Sequence, residues 1–287
     1  MSLHNVGFTY AYGDKPALKN VSLSIKPGLL YGVVGLNASG KSTLCSVIRG
    51  IIPHFHHGDL TGQVKILGKD LLEWDPAELS KAIGYVFQNP FTQISGVKET
   101  VFEEIALGLE NLGVEREEMI ERVTAVVREL GIEALIRKNP NELSGGQRQK
   151  VAFASIIAMD ADFIVIDEPT SQLDPDASEA VFAIIRKLKE RGKSIILVEH
   201  KIDLMAEYAD RLIVLKGAEV VLEGPTRDVL VSAELVDASV PRPEVTELGL
   251  ALAQAGRPLR SIPITRAEAR ELVADRIQEA SHAHSAL

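Results

Sequence analysis

The sequence predicts an α/β fold built on a mostly parallel sheet, with an antiparallel β portion near the N-terminus and a small C-terminal module. Three observations predict it. Leu29–Val34, Phe163–Asp167 and Ser194–Val198 are near-continuous apolar runs, the pattern of strands buried on both faces. Helical periodicity lies between them, and strands alternating with helices form a parallel sheet. Prolines then cluster after Ser239, where the pattern changes.

Taken in order, Leu18, Val21, Leu23 and Ile25 partly alternate, as in an antiparallel strand with one solvated face. Ser42–Arg49 follows the first apolar run with helical spacing, and Lys150–Met159 precedes the second. From Ala177 to Arg191, Ala180, Val181, Ile184, Ile185 and Leu188 fall on one helical face. Ile213–Leu222 reads as a hairpin about Lys216-Gly-Ala-Glu219. Pro241, Pro243, Pro258 and Pro263 bracket two further helices, Glu244–Ala255 and Thr265–Glu279. Thr265 has Glu268 three residues on, the capping-box spacing. Residues 1–225 are expected to form the main domain and 226–287 the small module, with the last residues, around His282 and His284, frayed.

Composition narrows the function. The 287 residues carry 31 Lys+Arg against 40 Asp+Glu, 31 − 40 = −9, which argues against binding nucleic-acid phosphates. A 46% hydrophobic and 25% charged chain is globular rather than disordered. One cysteine, Cys45, forms no intrachain disulfide and fits a reducing compartment. No apolar stretch reaches the ~18–20 residues of a membrane span, and the start lacks the features of a secretory signal. The expectation is a cytoplasmic chain whose membrane role comes through a partner.

Gly35-Leu-Asn-Ala-Ser-Gly-Lys-Ser42 fits G-x-x-x-x-G-K-[ST] between a buried strand and a helix, the context of a phosphate-binding P-loop. Gly35, Asn37, Ala38, Ser39, Gly40 and Thr43 supply backbone that wraps phosphate at a helix N-terminus. Lys41 reaches the β/γ-phosphates and Ser42 ligates Mg²⁺. The bland alternative is a Gly-rich turn. Asp167 and Glu168 end an apolar strand; Asp167 suits Mg²⁺ and Glu168 the residue that orients or deprotonates water. Alone, such a pair is more often a helix-start acid or a turn. Leu143-Ser-Gly-Gly-Gln147 opens a helix with unobstructed N–H donors, a second anion site. One nucleotide does not need two such sites from one chain, which points to a nucleotide bound by another subunit. The alternative is an N-capped helix with a flexible entry.

Leu143–Gln147 resembles the signature motif of ATP-binding-cassette (ABC) ATPases, and the family's other pieces follow in its order. Gln88 in Val86-Phe-Gln-Asn-Pro90 resembles the glutamine loop that touches Mg²⁺ or the lytic water. Ser171-Gln-Leu-Asp174 resembles the D-loop that crosses the dimer interface. His200 resembles the switch histidine at the γ-phosphate, and Tyr10 the aromatic that stacks on adenine, with Tyr12 as the alternative. The resemblance implies a P-loop NTPase of ABC ATPase type with a helical signature subdomain. It also implies ATP and Mg²⁺ as cofactors. By the same resemblance Glu168, His200 and Gln88 would serve catalysis, Ser42, Gln88 and Asp167 would face the metal, and Ser144, Gly145, Gly146, Gln147 and Asp174 would join the phosphate loop in holding nucleotide. Ala38 departs from the family, which commonly has glycine there, and a methyl group raises the cost of positive φ.

Gly50-Ile-Ile-Pro-His-Phe55, Phe87-Gln-Asn-Pro90 with Glu99-Thr-Val-Phe-Glu-Glu104, and Arg242-Pro-Glu-Val-Thr-Glu-Leu248 resemble ATPases of energy-coupling-factor (ECF) transporters. That resemblance implies an ATP-driven motor for vitamin or transition-metal uptake, peripheral on the cytoplasmic face of the cell membrane. Its partners would be a second ATPase subunit, identical or paralogous, a transmembrane coupling subunit and a substrate-capturing membrane subunit, and the C-terminal module would help hold the two ATPases together. A soluble cassette acting in repair or translation is the alternative; its usual coiled-coil insertion or second cassette is not seen. A non-hydrolysing regulator is disfavoured by Glu168, His200 and Ser144. His54, His56 and His57 read as a solvated loop rather than a metal site, Cys45 as a packed thiol, and Glu115–Glu118 as an exposed helix start.

Overall fold

A computed structural model describes the backbone of residues 1–285 and the side chains of residues 1–278. Its strands are β1 (Ser2–Tyr10), β2 (Leu18–Ser24), β3 (Leu30–Gly35), β4 (Gly58–Ile66), β5 (Lys69–Asp70), β6 (Ile83–Val86), β7 (Phe163–Asp167), β8 (Ser194–Val198), β9 (Arg211–Lys216) and β10 (Glu219–Pro225). They form a six-stranded sheet ordered β10-β9-β3-β8-β7-β6 and a four-stranded one ordered β2-β1-β4-β5. In the larger sheet β9, β3, β8, β7 and β6 run parallel and only β10 is antiparallel. The smaller sheet is antiparallel throughout.

The continuous apolar runs have a simple cause. Leu30, Val34, Ile164, Ile166, Ile195, Leu197, Leu212 and Val214 face one core, while Tyr31, Val33, Phe163, Val165, Ile196, Val198, Ile213 and Leu215 face another. Alternate side chains of a strand point to opposite faces, so a strand covered on both sides has no polar position. The second core lies under α1 (Lys41–Ile48), α2 (Ile51–His54), α3 (Pro76–Ala82) and the smaller sheet, through Phe8, Leu18, Leu44, Ile48, Ile52 and Leu79. On the first face lie α4 (Pro90–Gln93), α5 (Val101–Asn111), α6 (Arg116–Leu130), α7 (Gly145–Met159), α8 (Pro175–Glu190) and α9 (Ile202–Tyr208). Residues 90–159 form the helical subdomain between β6 and β7.

Helix starts lie where capping, rather than apolar spacing, sets them. α7 begins at Gly145, five residues ahead of the apolar pattern, because Ser144 and Gln147 close a capping box. α8 begins at Pro175, two residues early, because Asp174 accepts from Ala177 N at 2.8 Å and proline suits the first turn. Glu115 occupies the N-cap position of α6, with Glu117 and Glu118 in its first turn.

The chain closes with α10 (Thr226–Val231), α11 (Ala233–Asp237), α12 (Glu244–Gln254) and α13 (Arg266–Ser285). Val229, Leu230, Leu235, Ala238, Val240 and Ile264 pack into the same core as the large sheet. Thr246 Oγ1 donates to Pro263 O at 2.9 Å and ties α12 to the segment before α13. Thr265 Oγ1 accepts from Glu268 N at 3.3 Å, as its spacing predicts, while Glu268 reaches Ile264 N at 2.8 Å and pairs with Arg227. α13 runs past the expected end at Glu279 to Ser285, so the backbone at His282 and His284, where fraying was expected, is helical instead; the side chains after residue 278 and residues 286–287 lie outside the described residues. Among the described residues no helix is long and apolar enough to cross a membrane.

Candidate active site

β3 delivers the chain to Gly35, where a Cβ would lie 2.3 Å from Leu215 O, so only glycine fits against β9. A Cβ on Gly40, at φ 108°, would likewise lie 2.7 Å from Ala17 O. The turn of the β9–β10 hairpin backs the loop: Ala218 N donates to Ser39 O at 3.1 Å, and Lys19 N to Ala218 O at 2.7 Å. Ala38 adopts φ 61°, the left-handed conformation that its methyl group makes costly. Gly40, Lys41, Ser42 and Thr43 precede or open α1, where amides have no acceptor a turn earlier. Lys41 is buried and its Nζ donates to Gly35 O at 2.9 Å and Leu36 O at 3.0 Å. Burial pulls the Lys41 ammonium below its ordinary range, with Glu168 and Asp167 opposing the shift. Ser39 Oγ is buried without a partner among the described residues, as a polar atom of a ligand cradle would be.

A cavity of about 660 Å³ opens over this loop, with Lys41, Ser42, Gln88, Glu168 and His200 in its wall. At the end of β7 the chain turns through Glu168, at φ 44°, whose amide donates to Val198 O at 2.9 Å. That turn lets two consecutive carboxylates serve one site. Gln88 Nε2 donates to Glu168 Oε2 at 2.6 Å, and His200 Nε2 lies 2.8 Å from Glu168 Oε1. The structure thus brings Gln88, Glu168 and His200 onto one carboxylate. Asp167 is buried, and Tyr85 Oη donates to its Oδ2 at 2.9 Å. Burial pushes the Asp167 carboxyl up, while the Tyr85 hydrogen bond acts the other way; the Tyr85 phenol, raised by burial and by Asp167, stays a donor.

Three residues that the sequence did not single out shape this site. Besides Tyr85 and Ala218 there is Glu199, 3% exposed. Its Oε1 accepts from His200 N at 2.8 Å and Lys201 N at 3.3 Å, and its Oε2 accepts from Thr170 Oγ1 at 2.7 Å. It joins the loop carrying His200 to the loop that follows Glu168. Its position beside the histidine was the only available signal. Tyr10 Oη lies 3.2 Å from Thr43 Oγ1, and its ring meets Phe8 edge-on at 4.8 Å; Tyr12 is fully exposed.

The signature residues lie apart. Ser144 caps α7, accepting from Gln147 N at 3.4 Å while Gln147 Oε1 accepts from Ser144 N at 3.2 Å. Gly145 faces Leu173, and Gly146 faces Ala177, so this helix tip and the segment ending at Asp174 sit side by side. None of Ser144, Gly145, Gly146, Gln147 or Asp174 lines the phosphate-loop cavity. His54, His56 and His57 are exposed, and His56 stands edge-on to Tyr10 at 6.2 Å. Cys45 is fully buried, which pushes its thiol well above the ordinary range.

A glycine-framed loop around a buried lysine, with a carboxylate pair at a nearby strand end, defines a P-loop nucleotide hydrolase. Residues 18–171 match the model of the ABC transporter family, and the chain belongs to that family. A putative ABC transporter ATP-binding protein of Pyrococcus abyssi is 39% identical over 91% of this chain and 94% of its own. The energy-coupling factor transporter ATP-binding protein EcfA1 of Enterococcus faecalis is 37% identical over 89% and 90%. Among solved structures, cbiO1 of Clostridium perfringens, part of the ABC transporter complex cbiONQ, covers 89% of this chain and 96% of its own, at 27% identity and a TM-score of 0.72. An ATP-binding cassette solved as a dimer in a post-hydrolysis state with ADP and Pi covers 79% and 98%, at 33% identity and a TM-score of 0.67. The chain is an ABC ATPase, the ATP-hydrolysing subunit of a transporter.

Proposed function

We propose that the chain is the motor subunit of an ECF-type importer, and that two ATPase subunits close around two ATPs to drive uptake of a vitamin or transition-metal ion. One observation carries the reading: Glu168 is held between Gln88 and His200 in a cavity that the chain's own signature helix does not reach. The missing wall is then the partner subunit's helix tip. Phosphate oxygens accept from the amides of Gly40 to Thr43, and Lys41 turns from the carbonyls of Gly35 and Leu36 to the terminal phosphates. Tyr10, tied to Thr43, stacks on adenine. Glu168 takes a proton from water, and His200 donates to the γ-phosphate.

A hydroxyl, a carboxylate and an amide oxygen, from Ser42, Asp167 and Gln88, are the hard oxygen donors that Mg²⁺ prefers, and the buried charge of Asp167 suits a cation. These residues would hold the ion, which when bound neutralises phosphate charge. A groove of about 520 Å³, walled by Arg49, Phe55, Tyr85, Phe87 and Leu107, receives a helix of the transmembrane coupling subunit, which works with a substrate-capturing subunit. The motor then lies peripherally on the cytoplasmic face of the cell membrane. Residues 1–225 act as the nucleotide-binding domain and 226–287 as a dimerisation module.

Glu168→Gln tests the reading. Loss of a general base lowers turnover by about 10²–10⁴-fold, and ATP binding is retained. Phosphate release by this variant at the wild-type rate would overturn the assigned role of Glu168.

A further inference from the structure

Tyr85 takes no part in the reaction described above, yet it spans the layer between the groove and the metal-side carboxylate. It lies in β6, paired in parallel register with Val165 of β7, three residues before Gln88. Its hydroxyl donates to Asp167 Oδ2 at 2.9 Å, leaving Oδ1 without a side-chain donor among the described residues. On the ring face, the Arg49 guanidinium carbon sits 3.6 Å from the centroid. Phe87 meets the ring in a T-shaped arrangement, centroids 4.8 Å apart with an interplanar angle of 85°. A cation over one face and a T-shaped aromatic neighbour fix a ring in place. Arg49, Tyr85 and Phe87 all belong to the groove wall.

We propose that Tyr85 is a positioning residue for divalent-cation binding: its clamped hydroxyl aims Asp167 at the metal, and its ring exposes that alignment to whatever seats in the groove. The hydroxyl's role needs only the metal assignment of Asp167; the link to a docked helix rests on the importer reading. A tyrosine kept for packing alone would be replaced by phenylalanine without effect on metal binding. Hydrogen bonds to a ligating carboxylate orient it, and their loss weakens metal affinity.

The test is Tyr85→Phe in the full chain, with Mn²⁺ binding followed by electron paramagnetic resonance in the presence of ATP. Mn²⁺ affinity should fall about ten-fold or more, while ATP affinity without metal stays within about two-fold of wild type. The change removes one oxygen, and circular dichroism reports whether the fold is retained. Mn²⁺ affinity within about two-fold of wild type would overturn the proposal. A parallel loss of metal-free ATP affinity would overturn it too, because the effect would then be on the whole site. A wild-type chain that takes up no Mn²⁺ with ATP would remove the metal assignment and this inference with it. Failure of the hydrolytic role assigned to Glu168 shows separately, in phosphate release by Glu168→Gln.

Discussion

At Gly145, the first residue of α7, a Cβ would meet only Leu173 Cδ2 at 3.9 Å, an ordinary van der Waals contact. Its φ lies outside the left-handed region, so the backbone conformation also accepts alanine. Inside a helix, alanine is favoured over glycine by about 0.5–1 kcal/mol, and the first turn takes the lower end. At about 2–4 °C per kcal/mol for a domain of this size, Gly145→Ala should leave Tm unchanged or raise it by about 1–2 °C. Turnover should behave differently. If another subunit's nucleotide lies against this backbone, the methyl group holds it away, and a displacement near 1 Å costs about 10²-fold in rate. Thermal melting and steady-state phosphate release on one preparation separate the two effects. Wild-type turnover, or a Tm lowered by several degrees, would refute the reasoning. Gly146 supplies the contrast: its Cβ would lie 3.1 Å from Ala177 Cβ, so alanine there presses α7 against α8 and costs about 1 kcal/mol of stability.

Two further predictions concern the loops. Ala38→Gly removes a left-handed alanine that costs about 1–2 kcal/mol and adds about 0.5–1 kcal/mol of backbone entropy, so the variant should be more stable by about 0.5–1 kcal/mol. A urea midpoint below that of wild type would contradict this. Glu199→Ala strands the buried Thr170 hydroxyl and two amides, and should destabilise by about 2–4 kcal/mol, whereas Glu199→Gln keeps an acceptor and should cost about 1 kcal/mol. Equal denaturation midpoints for the two variants would show that these hydrogen bonds carry no weight.

Local chemistry was legible; tertiary contact was not. Phe163–Asp167 and Ser194–Val198 stand where their apolar runs lie, because covering both faces leaves polar residues only at the strand ends, Asp167 and Ser194. β1 and β4 gave no such signal: their register shifts near Asn5, which sits at φ 50° with its amide on Ser22 Oγ, and the shift breaks any alternation. The phosphate loop is contiguous, so its spacing spoke for itself. Gln88, Glu168 and His200 were joined by family resemblance, since no spacing rule links residues so far apart. The Tyr85–Asp167 bond spans 82 residues, and Ala218 reaches Ser39 only through strand order. Prolines marked the change of pattern after Ser239, but nothing local told that Val229, Leu230 and Leu235 enter the main core.

Mixing two inactive variants tests the divided site most directly. Lys41→Ala disables a chain's own phosphate loop, and Ser144→Arg disables the helix tip that it offers to a partner. In a two-fold dimer, a mixed pair keeps one intact site, formed by the unaltered Lys41 of one chain and the unaltered Ser144 of the other. With random pairing, half the dimers are mixed and one of their two sites works, so phosphate release should return to about a quarter of the wild-type rate. Full activity of Ser144→Arg alone, or no recovery from mixed dimers shown to form, would contradict a site divided between two chains.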